Sequence, residues 1–279
     1  MSAKPVQGLY AAVLTPRKSY GTLDEAALQR LLDFLLANGI TRFAFNGATG
    51  DYPLTTWEEL EHILAVATRL IAHFVCGIGA ASLIDCLDRA RVALDAGSAA
   101  LMLPMPHFYS YEQDDLQAFC LEVAGRLPSA KILLYNLPSF TSPLTADTCC
   151  SLIAESPNIV GIKDSGPTLD ILRALPESAC RMVGNDSNLC PALREGVADG
   201  VISGIACVLP ELVQAVYEQD PAAEQTLVEF HSQMMEMPLP WALKLIAEAR
   251  GIIPAQFPLP LSPRRHDQAR ALVARWGRL

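Results

Sequence analysis

The sequence lacks any apolar run long enough to span a lipid bilayer, which argues against a transmembrane helix. Residues 1–5 lead directly into an apolar segment and lack the core of a signal peptide, which favours a protein that is not exported. The eight cysteines form no Cys-x-x-Cys pair and no His/Cys spacing typical of a metal site. From these absences we expect a cytoplasmic protein with free, mostly buried thiols, no bound metal and no membrane partner.

Signatures of nucleotides and nucleic acids are missing as well. No G-x-x-x-x-G-K-[ST] phosphate loop occurs, so we expect no nucleotide. The net charge of −9 comes from acidic residues spread along the chain, which argues against nucleic acid as a partner. We therefore expect no cofactor and a small-molecule ligand.

Eight short apolar segments alternate with helical patterns in the first three quarters of the chain. We predict strands at residues 8–16, 40–46, 73–79, 99–105, 132–136, 159–163, 181–184 and 200–205. With helices after seven of them, this is the pattern of a (β/α)8 TIM barrel, an α/β fold. A doubly wound sheet would usually place a G-x-G-x-x-G turn after the first strand, where this sequence has Thr15-Pro16-Arg17-Lys18.

The alternation of strands and helices stops after the eighth segment. Helical patterns continue at residues 210–218, 222–235, 239–251 and 266–276. We therefore assign residues 1–208 to the barrel and residues 209–279 to a helical extension packed on it. Within the barrel, Thr22 followed by Glu25 predicts a capping box, and Thr56 and Ser82 predict two further helix starts.

A lysine closes the sixth predicted strand, Ile159-Val160-Gly161-Ile162-Lys163. In a barrel of this kind, functional side chains lie at the carboxyl ends of the strands. Burying an ammonium is costly and favours the neutral amine, which attacks ketones to form a Schiff base. The alternative is that the Lys163 side chain extends to solvent. The other four lysines favour the first interpretation, because Lys4 is terminal, Lys18 lies in a loop, Lys131 begins a strand and Lys244 lies on a late helix.

Other polar residues follow the strands at the same end of the barrel. Tyr135 ends the fifth strand, and because neighbouring strands lie about 4.8 Å apart, its phenol can reach Lys163 and shuttle protons. The loop Gly47-Ala48-Thr49-Gly50 offers amides and a hydroxyl to an anion. Simpler explanations are a core tyrosine and a tight turn. The remaining strand-end residues are Thr15, His107, Tyr109, Asp186 and Ser203.

These motifs together resemble the dihydrodipicolinate synthase and N-acetylneuraminate lyase family of class I, Schiff-base aldolases. Gly47-Ala48-Thr49-Gly50-Asp51 is similar to the family's G-[TS]-T-G-E. Tyr135-Asn136-Leu137-Pro138 resembles its Y-N-x-P, and Gly161-Ile162-Lys163-Asp164 resembles its G-x-K-[ED]. Gly184-Asn185-Asp186 and Gly200-Val201-Ile202-Ser203 also fit, so the resemblance runs through nearly the whole chain.

The resemblance implies a barrel with a C-terminal helical subdomain, assembled as a homotetramer or homodimer. It implies that Lys163 forms an imine with a 2-oxo acid, typically pyruvate, and that Tyr135 shuttles protons. Thr49 and nearby amides would hold the carboxylate of that acid. The substrate-binding residues predicted on this basis are Gly47, Ala48, Thr49, Ser203 and Ile205.

The sequence departs from the family's pattern at three positions. The family commonly has a hydroxyl residue at the position of Ala48, and a tyrosine lent by the neighbouring subunit at the position of Phe108. Two members of the family's proton relay are therefore missing. Phe140 stands where the lysine-pathway synthases use an arginine for the second substrate's carboxylate, which predicts that aspartate semialdehyde is a poor substrate. The predicted relay and acceptor pocket comprise His107, Phe108, Tyr109, Phe140 and Asp186, with Tyr109 and His107 as candidates to replace the missing relay groups.

Four functions are open at the level of the sequence. The leading hypothesis is a lyase or aldolase that acts on pyruvate or a related 2-oxo acid, with an aldehyde as second substrate, but not the lysine-pathway enzyme. A dehydratase of 2-oxo sugar acids would use the same enamine. A barrel that only binds a 2-oxo acid would have lost its relay. A phosphate-binding barrel enzyme would need glycine-rich loops after strands seven and eight, where Gly204 alone gives little support.

Overall fold

The computed structural model of the chain describes residues 4–19 and 21–277. The strands are β1 (Gly8–Ala12), β2 (Phe43–Phe45), β3 (Phe74–Gly77), β4 (Leu101–Pro104), β5 (Ile132–Asn136), β6 (Ile159–Asp164), β7 (Cys180–Val183) and β8 (Gly200–Ser203). The helices are α1 (Glu25–Ala37), α2 (Trp57–Ala67), α3 (Leu83–Asp95), α4 (Gln113–Arg126), α5 (Ala146–Glu155), α6 (Asp170–Ala174), α7 (Leu189–Glu195), α8 (Pro210–Tyr217), α9 (Pro221–Met234), α10 (Trp241–Ala249) and α11 (Pro263–Trp276).

The strands form a closed parallel barrel. They pair in sequence order, and β8 also pairs with β1. Each strand is followed by a helix before the next strand begins, and α9, α10 and α11 come after the eighth such unit. The predicted (β/α)8 barrel is therefore confirmed. Among the described helices, none is both long enough and apolar enough to cross a membrane.

Most strands are shorter than predicted, because an apolar run indicates burial and does not require ladder hydrogen bonds. β1 ends at Ala12, whereas residues 13–15 of its predicted span continue as a buried loop. The second predicted strand, residues 40–46, is reduced to β2 in the same way. β5 has its predicted bounds.

Local signals placed most helix starts correctly. Thr56 and Ser82 are N-caps, as predicted, and their hydroxyls accept hydrogen bonds from backbone amides in the first helical turn. The predicted capping box at Thr22 is wrong, because Asp24 is the N-cap of α1 and its carboxylate accepts from the Ala27 amide at 3.0 Å. Aspartate caps helices at least as well as threonine, and Asp24 stands directly before the first helical residue.

The barrel has an inner and an outer apolar layer. Inward-facing strand residues fill the interior, and outward-facing ones pack against the helices. Along β5, Leu133 and Tyr135 belong to the inner layer, whereas Ile132 and Leu134 belong to the outer one. Tyr135 therefore enters the interior at the carboxyl end of its strand.

Lys244 on α10 is a second buried lysine, with 4% of its surface exposed. Its ammonium lies 2.6 Å from a carboxylate oxygen of Asp51 and donates to the Gln256 carbonyl at 3.1 Å. The sequence predicted the helix but not the burial of Lys244, because its partner Asp51 lies 193 positions away in the chain. Lys163 is therefore not the sole buried lysine.

Removing one member of the Lys244–Asp51 pair should destabilise the fold. We expect Lys244→Met to lower the free energy of unfolding by about 3–5 kcal/mol, because the Asp51 carboxylate stays buried without its cation. Adding Asp51→Asn should recover part of this loss, and asparagine tolerates the left-handed backbone at position 51, where φ is 56°. Chemical denaturation of the three proteins measures both effects. A loss below about 1 kcal/mol for Lys244→Met would contradict the expectation, since that is the value of an exposed pair.

Candidate active site

A β-bulge in β6 sets the position of Lys163. The register between β5 and β6 shifts near the start of the pair, and Val160 is the extra residue. Gly161 follows the bulge, and a Cβ at this position would lie 2.1 Å from the carbonyl oxygen of Cys180 on β7, so a side chain cannot be accommodated. The shift by one residue brings Lys163 directly opposite Tyr135.

Lys163 is held beside a phenol in the barrel interior. It is 3% exposed, and its amine donates to the Tyr135 hydroxyl at 3.0 Å and lies 4.1 Å from the centre of the ring. Gly184 leaves room for it, because a Cβ there would lie 2.9 Å from the Lys163 Cε. The neighbouring Asp164 carboxylate instead accepts from the Asn136 amide at 2.8 Å. This arrangement suits an amine that acts as a nucleophile with a proton carrier next to it.

The loop after β2, residues 46–51, presents Ala48 and Thr49 to the interior. The backbone amides of residues 50–52 donate hydrogen bonds to carbonyls within the loop. The Thr15 hydroxyl fixes the loop by donating to the Gly50 carbonyl at 2.7 Å. The Ala48 and Thr49 amides take no part in these turns. With the Thr49 hydroxyl, they are the groups of this loop that can meet an anion.

A cavity of about 110 Å³ lies at the carboxyl ends of the strands. Its wall combines strand ends with side chains from α9, α10 and the segment between them. The lining residues are Ala48, Thr49, Tyr135, Leu137, Ser139, Phe140, Lys163, Ser165, Gly184, Asn185, Asp186, Ile202, Gly204, His231, Met234, Met235, Leu239 and Leu243. A larger groove of about 510 Å³ lies between α2 and α3, but its described wall contains neither lysine nor cysteine. The candidate site is therefore the smaller cavity.

The cavity brings together half of the residues that the sequence indicated. Its wall contains Ala48, Thr49, Tyr135, Phe140, Lys163 and Asp186, whereas Gly47, Ser203, Ile205, His107, Phe108 and Tyr109 lie outside it. Ser203 and Ile205 are fully buried behind Asp186. The Ser203 hydroxyl and the Ile205 amide face the Asp186 carboxyl and favour its charged form. Ser203 and Ile205 therefore contact Asp186, which lines the cavity, but do not line the cavity themselves.

Phe108 and Tyr109 turn toward solvent. They are 84% and 65% exposed, and their rings meet edge to face with centres 4.8 Å apart. Phe108 has a φ of 89°, which is uncommon and strained for a residue with a side chain. Within one chain, neither ring lines the cavity that contains Tyr135.

Tyr52 is a neighbour of the site that the sequence patterns did not single out. Its ring is buried in the same inner layer as Tyr135. Burial, together with the nearby Tyr135, raises the pKa of Tyr52 to about 12. His107 packs edge-on against Tyr52 at 5.9 Å between ring centres, and among the described residues its Nδ1 atom has no hydrogen-bond partner. The sequence signal that could have pointed to Tyr52 is its position directly after the Gly47–Asp51 motif.

The outer wall of the cavity was also missed. His231 and Met234 come from α9, Leu239 from the connection, and Leu243 from α10. Their periodicity predicted helices, but it could not indicate which helix face covers the barrel mouth.

Two ionisable groups face the cavity besides Lys163 and Tyr135. Burial raises the pKa of Asp186, although the Ser203 hydroxyl and the charges of His231 and Lys163 act in the opposite direction. Burial lowers the pKa of His231, against the pull of the Asp186 charge. The described part of the chain contains no group of three His, Cys, Asp or Glu side chains arranged to hold a metal ion.

Comparisons with known proteins agree with this geometry. A sequence model of the Dihydrodipicolinate synthetase family matches residues 5–276. A protein from Sorangium cellulosum named 4-hydroxy-tetrahydrodipicolinate synthase is 31% identical over 94% of this chain and 92% of its own length. The crystal structure of dihydrodipicolinate synthase from Aquifex aeolicus is 27% identical, with a TM-score of 0.85 over 97% of this chain and 98% of that one. A sialic acid aldolase from Ruminococcus gnavus shares the fold at 17% identity, with a TM-score of 0.83 over 97% of both chains.

Proposed function

The chain belongs to the Dihydrodipicolinate synthetase family and is a lyase, and we propose that it makes or cleaves a carbon–carbon bond beside the 2-oxo group of pyruvate or a related 2-oxo acid. The observation that carries this proposal is the buried Lys163 amine, 3.0 Å from the Tyr135 hydroxyl and facing a small cavity. A lysine in this setting forms imines with carbonyl substrates.

The proposed mechanism starts with attack of the Lys163 amine on the substrate ketone. Tyr135 passes protons as the addition product loses water and becomes an imine. The amides of Ala48 and Thr49 and the Thr49 hydroxyl bind the carboxylate of the 2-oxo acid. With Tyr135 as the proton acceptor, the carbon next to the iminium then loses a proton, its C–H electron pair forms the new C=C bond and the C=N pair moves to the nitrogen, which gives the enamine nucleophile. This chemistry requires no further cofactor.

The cavity supports an uncharged second substrate. Among its described lining residues, Lys163 is the only lysine and there is no arginine. Once Lys163 is consumed as the imine, no fixed cation remains for a second carboxylate. Phe140, half exposed at the wall, contributes an aromatic ring instead. We therefore propose a neutral aldehyde rather than aspartate semialdehyde as the acceptor.

The expected substrate preference can be measured with pyruvate and a panel of aldehydes, read by the mass of the product. We expect kcat/KM to be higher for neutral aldehydes than for aspartate semialdehyde. Phe140→Arg should raise kcat/KM for aspartate semialdehyde by about 10- to 100-fold, the value of a hydrogen bond to a charged group. Phe140→Gln is the control, because it is polar but uncharged. A parent protein that already prefers aspartate semialdehyde would refute the proposed acceptor class.

A second candidate is dehydration of a 2-oxo sugar acid through the same enamine. It is favoured by the acidic Asp186 carboxyl in the cavity, which can protonate a departing hydroxyl. The same product masses distinguish the two, because dehydration removes water without a second substrate. Imine formation without any turnover would instead indicate a protein that only binds 2-oxo acids.

We also propose that the chain assembles into a homo-oligomer, which the exposed rings of Phe108 and Tyr109 support.

A further inference from the structure

A second pocket, of about 260 Å³, lies where the loop after β1 meets α10 and the segment that follows α10. Its described wall shares no residue with the cavity that contains Lys163. Three of the described lining residues are cationic, namely Arg17, Lys18 and Lys244, and none is acidic. Side chains of this kind bind carboxylate and phosphate groups. The second pocket is therefore a candidate site for an anion.

Two of these cations have hydrogen-bond donors left over after their contacts within the chain. The ammonium of Lys244 has three donors, and its contacts with the Asp51 carboxylate and the Gln256 carbonyl account for two of them. The Arg17 side chain is 9% exposed and pairs with Glu59 at 2.6 Å, but its buried Nε atom has no partner among the described residues. Because buried donors are normally paired, the unused donors point to an acceptor that the described chain does not supply.

The charges around the second pocket leave one positive charge without a counterpart. Asp51 offsets Lys244, and Glu59 offsets Arg17. Lys18 is exposed and forms no ion pair among the residues that the structure describes. A ligand with a single negative charge balances this surplus, whereas a doubly charged phosphate would leave an excess of negative charge next to Asp51 and Glu59. The balance of charge therefore favours a monocarboxylate.

The rest of the wall indicates what the carboxylate is attached to. Leu54, Phe257 and Pro258 give the pocket an apolar side opposite in character to its cations. Apolar surface of this kind gains free energy when it is covered by another apolar group. We propose that the second pocket binds a small monocarboxylate with an apolar or aromatic body, and that its occupation weakens the binding of the 2-oxo acid at the active site.

The contact between Lys244 and Asp51 connects the two sites. Asp51 is the last residue of the loop after β2, and Thr49 of the same loop lines the active-site cavity. A carboxylate bound to Lys244 repels Asp51, because both then share one ammonium, and it loosens the loop that presents the Ala48 and Thr49 amides. Less well-ordered amides bind the substrate carboxylate more weakly. The coupling rests on the proposed function, whereas the existence of the binding site does not.

Binding can be measured by calorimetry with phenylacetate, which has one carboxylate and one ring. Phenethyl alcohol has the same shape without the charge, and it should bind at least about 10-fold more weakly, the value of a hydrogen bond to a charged group. Leu54→Glu should lower the affinity for phenylacetate by about 10- to 100-fold, because the new carboxylate takes up the surplus charge. Leu54→Gln is the matched control, since it has the same size without the charge and should bind like the parent. Both variants should fold, because Leu54 is 47% exposed.

The coupling can be measured as the KM for pyruvate in borohydride trapping, with and without saturating phenylacetate. In the parent and in Leu54→Gln we expect phenylacetate to raise this KM by about 5-fold or more, the usual range of coupling between two sites, and to leave the maximal rate unchanged. In Leu54→Glu the effect should disappear, which a ligand that competes directly at Lys163 would not show.

Three results would overturn the inference: equal affinity of the parent and Leu54→Glu for phenylacetate, tighter binding of inorganic phosphate than of phenylacetate, or a pyruvate KM that phenylacetate leaves unchanged. A parent protein that forms no imine would overturn the proposed function and the coupling that rests on it, and calorimetry would still decide whether the second pocket binds the carboxylate.

Discussion

Pyruvate and borohydride should label this protein at Lys163 and at no other lysine. Lys163 is buried, lies beside the Tyr135 hydroxyl and faces the cavity. Lys244 is buried to a similar degree, but its amine is held by the Asp51 carboxylate at 2.6 Å and by the Gln256 carbonyl at 3.1 Å, and it does not line this cavity. Burial alone therefore does not distinguish the two lysines; the presence of a carboxylate partner does. Peptide mass mapping after reduction identifies the labelled lysine.

Lys163→Ala should abolish the label and all detectable turnover. The substitution removes the nucleophile, and no described lysine other than Lys163 lines the cavity. The fold should persist, because Lys163 forms no ion pair among the residues that the structure describes, whereas Lys244 pairs with Asp51. Circular dichroism and thermal unfolding check this point. Lys244→Met is the control: it should lose stability but still be labelled at Lys163. Labelling of the Lys163→Ala protein, or an unlabelled parent beside a labelled imine aldolase, would contradict the mechanism.

The barrel was predictable because its signal is repeated. Eight apolar segments separated by helices leave few alternatives, and errors of a few residues at strand ends do not alter the topology. The juxtaposition of Lys163 and Tyr135 followed from the same reasoning, since both end neighbouring strands. The sequence did not indicate the bulge at Val160, although the bulge determines the register that places Lys163 opposite Tyr135.

The outer wall of the cavity was not predictable from local patterns. His231 reaches the site because α9 packs across the barrel mouth, and Lys244 meets Asp51 from α10. Contacts of this kind depend on how helices pack, which periodicity within a helix does not specify. Tyr52 illustrates a different limit, because its ring fits over Gly79, where a Cβ would lie 2.6 Å from the ring. Only the three-dimensional arrangement reveals that space.

The surroundings of Tyr135 lack the hydroxyl groups that the resemblance to the family leads us to expect at positions 48 and 108. The Ala48 side chain offers no donor or acceptor, and Phe108 is exposed and carries no hydroxyl. A second buried tyrosine, Tyr52, lies close enough for Tyr135 to influence its pKa, and the His107 ring packs edge-on against it. We therefore expect protons to leave Tyr135 through Tyr52, through water or through the carboxylate of the substrate.

Tyr135→Phe should lower the rate of imine formation by about 10²- to 10⁴-fold, because the substitution removes the proton carrier and keeps the ring. Ala48→Thr combined with Phe108→Tyr should raise the rate of aldol turnover, since it restores two hydroxyls to the path. In the triple variant the gain should disappear, because residues of one proton path act as a unit and their effects are not additive. Single-turnover kinetics on the four proteins measures both steps, and sedimentation checks that every variant keeps the parent's assembly state. Unchanged imine formation in Tyr135→Phe would place the proton path elsewhere, with Tyr52 and His107 as the next groups to replace. A double variant that is no faster than the parent would mean that the substrate itself occupies the space beside Ala48.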